Sequence, residues 1–224
     1  MTHLAPNFEA VSLEAAERIV AIDQQRLNEP KQDQAALRAE IARLQQSIAK
    51  LKRLPRAITP VIFSFREGTP LRDLLAPGVR VGFDLDGFGG TVWSWLSAST
   101  GILVWDPAHT GSIQSGLQLF GSVTWWMFWR DGFQALAALD DNHDGWLAGT
   151  ELKGVAVWID RNQNGKSDVG EVISLSEAGI EQIGVDAAME DGILSNPQGI
   201  VFSDGRRAPA YDWIAESRPA TTSH

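Results

Sequence analysis

Apolar and polar positions alternate along this chain in two textures, and the change falls near Pro60. Before it, residues 9–27 and 33–54 carry helical spacing on either side of Asn28-Glu29-Pro30. In the second segment Leu37, Ile41, Leu44, Ile48 and Leu51 recur at steps of 4, 3, 4 and 3, which predicts an apolar seam along one helix face. Two pairings fit that seam. A helical hairpin packs it on residues 9–27, and a short parallel coiled coil uses residues 34–54 to form a homodimer. The basic run Lys50, Lys52, Arg53 and Arg56 suits a helix C-terminus.

After Pro60 the apolar runs shorten and are broken by Gly, Asp and Asn. VIFSF, RVGFDL, TVWSWL and GILVW read as strands, and EQIGVDA and GIVFSDG return to that pattern near the end, with a hairpin turn at Asp204-Gly205. Between them GFQALAAL has helical spacing, with Asp131 and Gln134 placed to form a capping box. The expected fold is α+β: a helical hairpin or coiled-coil segment over residues 1–58, then a Trp-rich domain of short strands over 59–224, built around a pair of acidic loops.

Those loops carry the chemistry. Residues 140–151 are DDNHDGWLAGTE and residues 160–171 are DRNQNGKSDVGE, and both satisfy D-x-[DN]-x-[DN]-G-x5-E. Calcium wants roughly 6–8 oxygens at about 2.3–2.6 Å, which a tight loop supplies by aiming alternate side chains inward. The first set is Asp140, Asn142 and Asp144, the Trp146 carbonyl and a closing Glu151; the second is Asp160, Asn162, Asn164, the Lys166 carbonyl, Asp168 and a closing Glu171. Gly145 and Gly165 permit the sharp turns. Only LKGVAVWI separates the loops, too short for an exiting and an entering helix, so VAVWI is expected to be a strand.

The order FDLDG, GILVWD, GLQLFG, DGFQALAALDDNHDG, VWIDRNQNG, GEV and LSEAGI, over residues 81–187, resembles an EF-hand-like calcium-binding module of bacterial proteins, found beside RTX-type repeats in secreted ones. The resemblance implies calcium binding in an α+β unit, often in exported or surface proteins. It also implies two earlier acidic loops, both eroded here. Asp84 and Asp86 stand in the first, with Phe88 at the third ligand position. Asp106 stands in the second, followed by Ala108 and Thr110, with Gln118 in place of Glu. These are expected to persist as turns without strong metal sites.

Composition narrows the rest. The net charge of −9 divides into about +2 over residues 1–60 and −11 over the remainder, an acidic surface that argues against nucleic acid and suits cations. There is no cysteine, which excludes disulfides and thiolate chemistry, and no apolar run approaches the ~20 residues that span a bilayer. The N-terminus shows no signal-peptide pattern, whereas structural use of calcium favours an exported or cell-surface setting. Nine tryptophans call for a Trp-rich core, with Phe83, Trp93, Trp95, Trp105 and Phe120 inside it; Trp125, Trp126, Phe128 and Trp129 fit either that core or an exposed aromatic patch. The histidines His3, His109, His143 and His224 form no catalytic constellation, and no enzyme is expected. The expectation is a protein whose calcium stabilises a structural or interaction domain with a protein or surface partner. The alternative is a calcium-responsive sensor engaging its partner through the aromatic surface.

Overall fold

The computed structural model describes residues 58–219, together with the helical positions Ala35, Arg38, Ala39, Ile41, Ala42 and Gln45. The chain divides into two compact units, Met1–Arg56 and Ala57–His224, and the second carries the architecture below. Its elements are β1 (Val61–Phe63), α1 (Leu71–Leu74), β2 (Leu75–Val81), β3 (Thr91–Leu96), β4 (Gly101–Trp105), α2 (Gly132–Ala137), β5 (Trp146–Ala148), β6 (Val155–Trp158), β7 (Val172–Ser174), β8 (Ile180–Gly184), β9 (Ala188–Glu190), β10 (Ile193–Phe202), β11 (Arg207–Asp212) and β12 (Ser217–Pro219). One nine-stranded sheet runs in the order β5-β8-β10-β11-β1-β4-β6-β7, with β9 added to β10; a three-stranded sheet runs β12-β3-β2. Neighbours in both sheets pair antiparallel.

The central strands explain their own composition. Successive side chains of a strand point to opposite faces. Val61 and Phe63 of β1, Leu103 of β4, and Val155 and Val157 of β6 enter one core, shared with Phe133 and Leu136 of α2. Ile62, Ile102, Val104, Ala156 and Trp158, the intervening residues, enter a second core against Trp93 and Trp95 of the small sheet. Because both faces are covered, these strands read as unbroken apolar runs rather than as an alternating pattern. Phe83 and Trp95 both pack against Trp158, with ring centroids 5.2 and 5.7 Å apart, so the second core is an aromatic cluster. Phe83, Trp93, Trp95 and Phe120 are buried as expected, and Trp105 packs on the first core half-buried.

The expected α+β class is corrected to mostly β. From residue 58 on there are two α-helices, of four and six residues. GFQALAAL does form α2, and Asp131 Oδ1 accepts from the Gln134 N–H (2.8 Å) as a helix cap. Gln134 reaches back one residue further than expected, accepting from the Arg130 N–H, and the helix stops at Ala137 because the turn into the first acidic loop follows at once. RVGFDL is a strand only as far as Val81, the end of β2, because Asp84 opens a turn. Within VAVWI, Val155–Trp158 form β6, and Ile159 already belongs to the turn into the second loop. The N-terminal hairpin or coiled coil of residues 1–58, with the homodimer through 34–54, lies almost wholly outside the described residues. Of its seam only Ile41 is described, helical and buried, and no coiled coil is seen among the described residues. No helix among them is long and apolar enough to cross a membrane.

The acidic loops as a candidate functional site

Loops 140–151 and 160–171 repeat one hydrogen-bond pattern. In the first, Asp140 Oδ1 accepts from the Asp144 N–H (3.3 Å) and Oδ2 from the Gly145 N–H (3.0 Å). In the second, Asp160 Oδ1 accepts from Asn164 (3.1 Å) and Oδ2 from Gly165 (2.8 Å). The third residue of each loop, Asn142 or Asn162, accepts from the fifth residue's N–H, at 2.9 and 3.2 Å. The fifth, Asp144 or Asn164, accepts from the N–H of Trp146 or Lys166. The closing glutamates reach back over the loop. Glu151 accepts from the N–H groups of Asp141, Asn142 and Ala148, and Glu171 from those of Arg161 and Asp168. The side-chain oxygens at the first, third, fifth and twelfth positions therefore gather the inward amides of the turn.

Left-handed backbone makes this possible. His143 and Gln163, fourth in their loops, have φ of +58°, and Gly145 and Gly165, sixth, have φ of +85° and +70°. Both glycines are also sites of close approach. A Cβ on Gly145 would lie 2.7 Å from Asp186 Oδ2, and one on Gly165 would lie 2.7 Å from Val81 Cβ.

The eroded loops keep the same turn. Asp106 Oδ1 and Oδ2 accept from the Thr110 and Gly111 N–H groups, while His109 and Gly111 take positive φ. Asp84 Oδ1 accepts from Gly89, sixth in its loop, and Asp86 Oδ1 from Phe88. Phe88 stands edge-on to Trp126, centroids 5.8 Å apart, and offers a ring where a ligand was expected. Gln118 folds onto its own loop, accepting from the Gln114 N–H and donating to the Ser112 carbonyl.

Electrostatics follow the bonds. Burial of Asp106 raises its pKa, but the N–H groups of Gly111 and Thr110 and the Thr110 hydroxyl outweigh it and hold the carboxyl below the usual range. Asp168 is lowered by the amide groups of Asn162 and then Asn164, both donating to Oδ2 at 2.8 Å. Asp140, Asp160 and Glu171 are buried, whereas Asn142, Asp144, Asn162 and Asn164 lie toward solvent. The Trp146 backbone belongs to β5, paired with Gly184 of β8, and the Lys166 carbonyl accepts from the Asp168 N–H.

Contacts from outside the loops escaped the sequence reading. Trp95 donates its indole N–H to Asp160 Oδ2, Gln163 donates to the Leu96 carbonyl, and Ser167 Oγ accepts from the Ile113 N–H. The second loop is thus fastened to β3 and to the chain after the Asp106 turn. Of the four aromatics left open, Trp125 and Trp129 pack on the first core, and Trp126 stays about half exposed.

The SPM domain family model matches residues 68–208 of the chain. Among curated proteins, the chain is 38% identical over 106 residues to the iron-regulated protein FrpA of Neisseria meningitidis serogroup C. The match covers 45% of the chain and 9% of that protein, so the chain spans less than a tenth of the relative's length. These findings correct the likeness to an EF-hand-like calcium-binding module. The matching family is the SPM domain; the six-residue α2 leads into the first loop, but a 3-10 turn and β6 close it, and β6 and β7 rather than helices flank the second loop. Among the described residues no three His, Asp or Glu side chains gather as a group able to hold a metal ion. The physical reason lies in the ligand chemistry: three of the eight inward positions, Asn142, Asn162 and Asn164, are carboxamides, and the carboxylates turn to loop amides. The descriptions EF-hand, calcium-binding module and coiled coil are not supported.

Proposed function

The chain belongs to the SPM domain family, and within that domain we propose that loops 140–151 and 160–171 each take up one Ca²⁺, which stabilises a β-domain of structural or interaction role. The observation supporting this is the repetition of one bond pattern in two separate loops. Both place Asp or Asn oxygens at the first, third and fifth positions and a glutamate at the twelfth, on one side of a turn whose N–H groups already face inward. A hard cation is matched by such neutral and anionic oxygens, and closure needs rotation of side chains rather than of the backbone. The ligands would be Asp140, Asn142, Asp144, Glu151 and the Trp146 carbonyl, and Asp160, Asn162, Asn164, Asp168, Glu171 and the Lys166 carbonyl.

A stabilising role is favoured over a sensor role by the aromatic residues. Trp125 meets Trp105 and Phe120 edge-on at 5.4 and 5.7 Å, so most of the aromatic surface a sensor would expose is already engaged in packing. An ion bound only by the folded chain stabilises it by about 2.7 kcal/mol at a hundredfold excess over Kd. Partner and setting follow the same reading: a protein or surface partner outside the cytosol, where calcium is abundant enough to fill modest sites. Thermal unfolding of the full chain in calcium and in chelator tests the proposal. A melting temperature raised by calcium, with no gain in binding of a dye for apolar surface, is expected. An unchanged melting temperature contradicts it, and a rise in dye binding favours the sensor.

A further inference from the structure

A cavity of about 900 Å³ lies between the small sheet and the β10–β11 region, sharing no residue with the two acidic loops. Its wall is mostly apolar, from Leu71, Leu75, Trp95, Ile193, Leu194 and Trp213. Its polar lining comprises Thr59, Arg80, Ser94, Arg130, Asp131, Asp212 and Glu216. Asp131 is paired, accepting from the Gln134 N–H at Oδ1 and from the Arg130 guanidinium (3.0 Å) at Oδ2. Asp212, the last residue of β11, is 8% exposed and accepts from the Gly132 N–H (2.8 Å), and among the described residues no Lys or Arg pairs with it. Thr59 is 6% exposed, and its hydroxyl has no hydrogen-bond partner.

The electrostatic consequence is direct. Burial pushes the Asp212 carboxyl up to about 7, and neighbouring Asp131 adds to the rise. The Gly132 N–H opposes it, as does the adjacent Thr59 hydroxyl, which sits outside good hydrogen-bond geometry. A buried carboxyl without a cation is an unfinished pair: its ionised form lacks a partner, and the neighbouring hydroxyl is an unused acceptor. Arg80 and Arg130 also line the cavity but stand against Glu216 (3.9 Å) and Asp131 (3.0 Å), so an anionic guest would meet no unpaired cation and would add to the repulsion at Asp212. A neutral guest would leave the ionised form uncompensated.

The geometry points to this cavity as a binding site for an alkylammonium ligand, a protonated amine on an apolar stem. The stem would lie along Leu71, Leu75, Ile193 and Trp213, with the ammonium donating to Asp212 and Thr59. This is a site for ligand recognition and stands independently of the calcium reading.

Titration of the full chain with n-hexylammonium near pH 8, followed by indole emission because Trp95 and Trp213 line the cavity, tests it. Hexylammonium should saturate the signal, hexanol should bind about tenfold or more weakly, and hexanoate should not compete. Asp212→Asn retains an oxygen for the Gly132 N–H and should weaken hexylammonium by about tenfold or more. Ala76→Trp, which fills the cavity from β2, should abolish the signal change. Equal binding of hexanol and hexylammonium, no saturation at all, or an unchanged titration in either variant would overturn the proposal.

Discussion

The indole N–H of Trp95 donates to Oδ2 of Asp160 at 2.5 Å, joining the three-stranded sheet to the opening residue of the second acidic loop. Both residues are almost fully buried, at 1% and 4% exposure. The same oxygen accepts from the Gly165 N–H, so one carboxylate holds the turn closed and fastens it to β3.

Replacing Trp95 by Phe removes that donor while keeping much of the ring against Phe83 and Trp158. The loss of a buried bond to a charged acceptor should destabilise the domain by about 1.5–3 kcal/mol, measured as a shift in the urea midpoint. If calcium binds the second loop, the same variant should also weaken it there. A midpoint within error of the wild type would show that the bond contributes nothing net.

Gly165 has φ of +70°, and its Cα lies against Val81. Gly165→Ala adds left-handed strain and a clash with a β-branched side chain, so a destabilisation of about 1–3 kcal/mol is expected. Gly170, with φ of +83° and open space around it, supplies the control: Gly170→Ala carries the strain alone and should destabilise less. Thermal unfolding of the two variants side by side distinguishes them, and equal losses would contradict the packing argument.

Asp212 predicts a pH dependence. Its carboxyl is raised from 3.8 to about 7 in the folded chain, so between those values the folded protein keeps a proton that the unfolded chain has released. The stability contributed by this group is complete below about pH 4 and is lost as pH rises through about 7. The other titratable groups lining that cavity are Arg80, Arg130, Asp131 and Glu216. Unfolding free energies from urea titrations between about pH 5 and about pH 8.5 should fall by an amount on the order of a few kcal/mol, and Asp212→Asn should flatten that decline. An equally steep decline in the variant would assign it to other groups.

Much of this structure could be read locally, and the remainder depends on distant partners. GILVW and VAVWI were legible as strands because β4 and β6 are covered on both faces, which leaves no polar position to interrupt them. The turns were legible because an Asp, an Asn two or four residues on and a Gly five residues on satisfy each other within one loop. Sheet order was not. β1 pairs with β11, whose Tyr211 lies opposite Ile62, and nothing near either residue announces that partner. The Trp95–Asp160 bond and the cavity are likewise built from residues far apart in the chain. The expected helical content failed for a local reason: acidic turns begin within a few residues of each apolar run, so α2 ends after six residues. The family likeness failed because the Asp-Asn-Gly spacing records the turn, which four loops of this chain share, rather than the helices that flank it in an EF-hand.

Isothermal calorimetry of the full chain with Ca²⁺, beside Glu151→Gln, Glu171→Gln and the double variant, reads the occupancy of the two loops. Each glutamate closes its loop at the twelfth position, and a neutral amide there removes a bidentate anionic ligand. About two ions are expected per wild-type chain, about one in each single variant and none in the double variant, with magnesium competing poorly because it requires a near-octahedral shell. Three or four ions would restore the Asp84 and Asp106 turns as metal sites. No calcium-dependent heat in the wild type, or binding unchanged in the double variant, would leave the acidic loops as turns held by their own amides, with no ion between them.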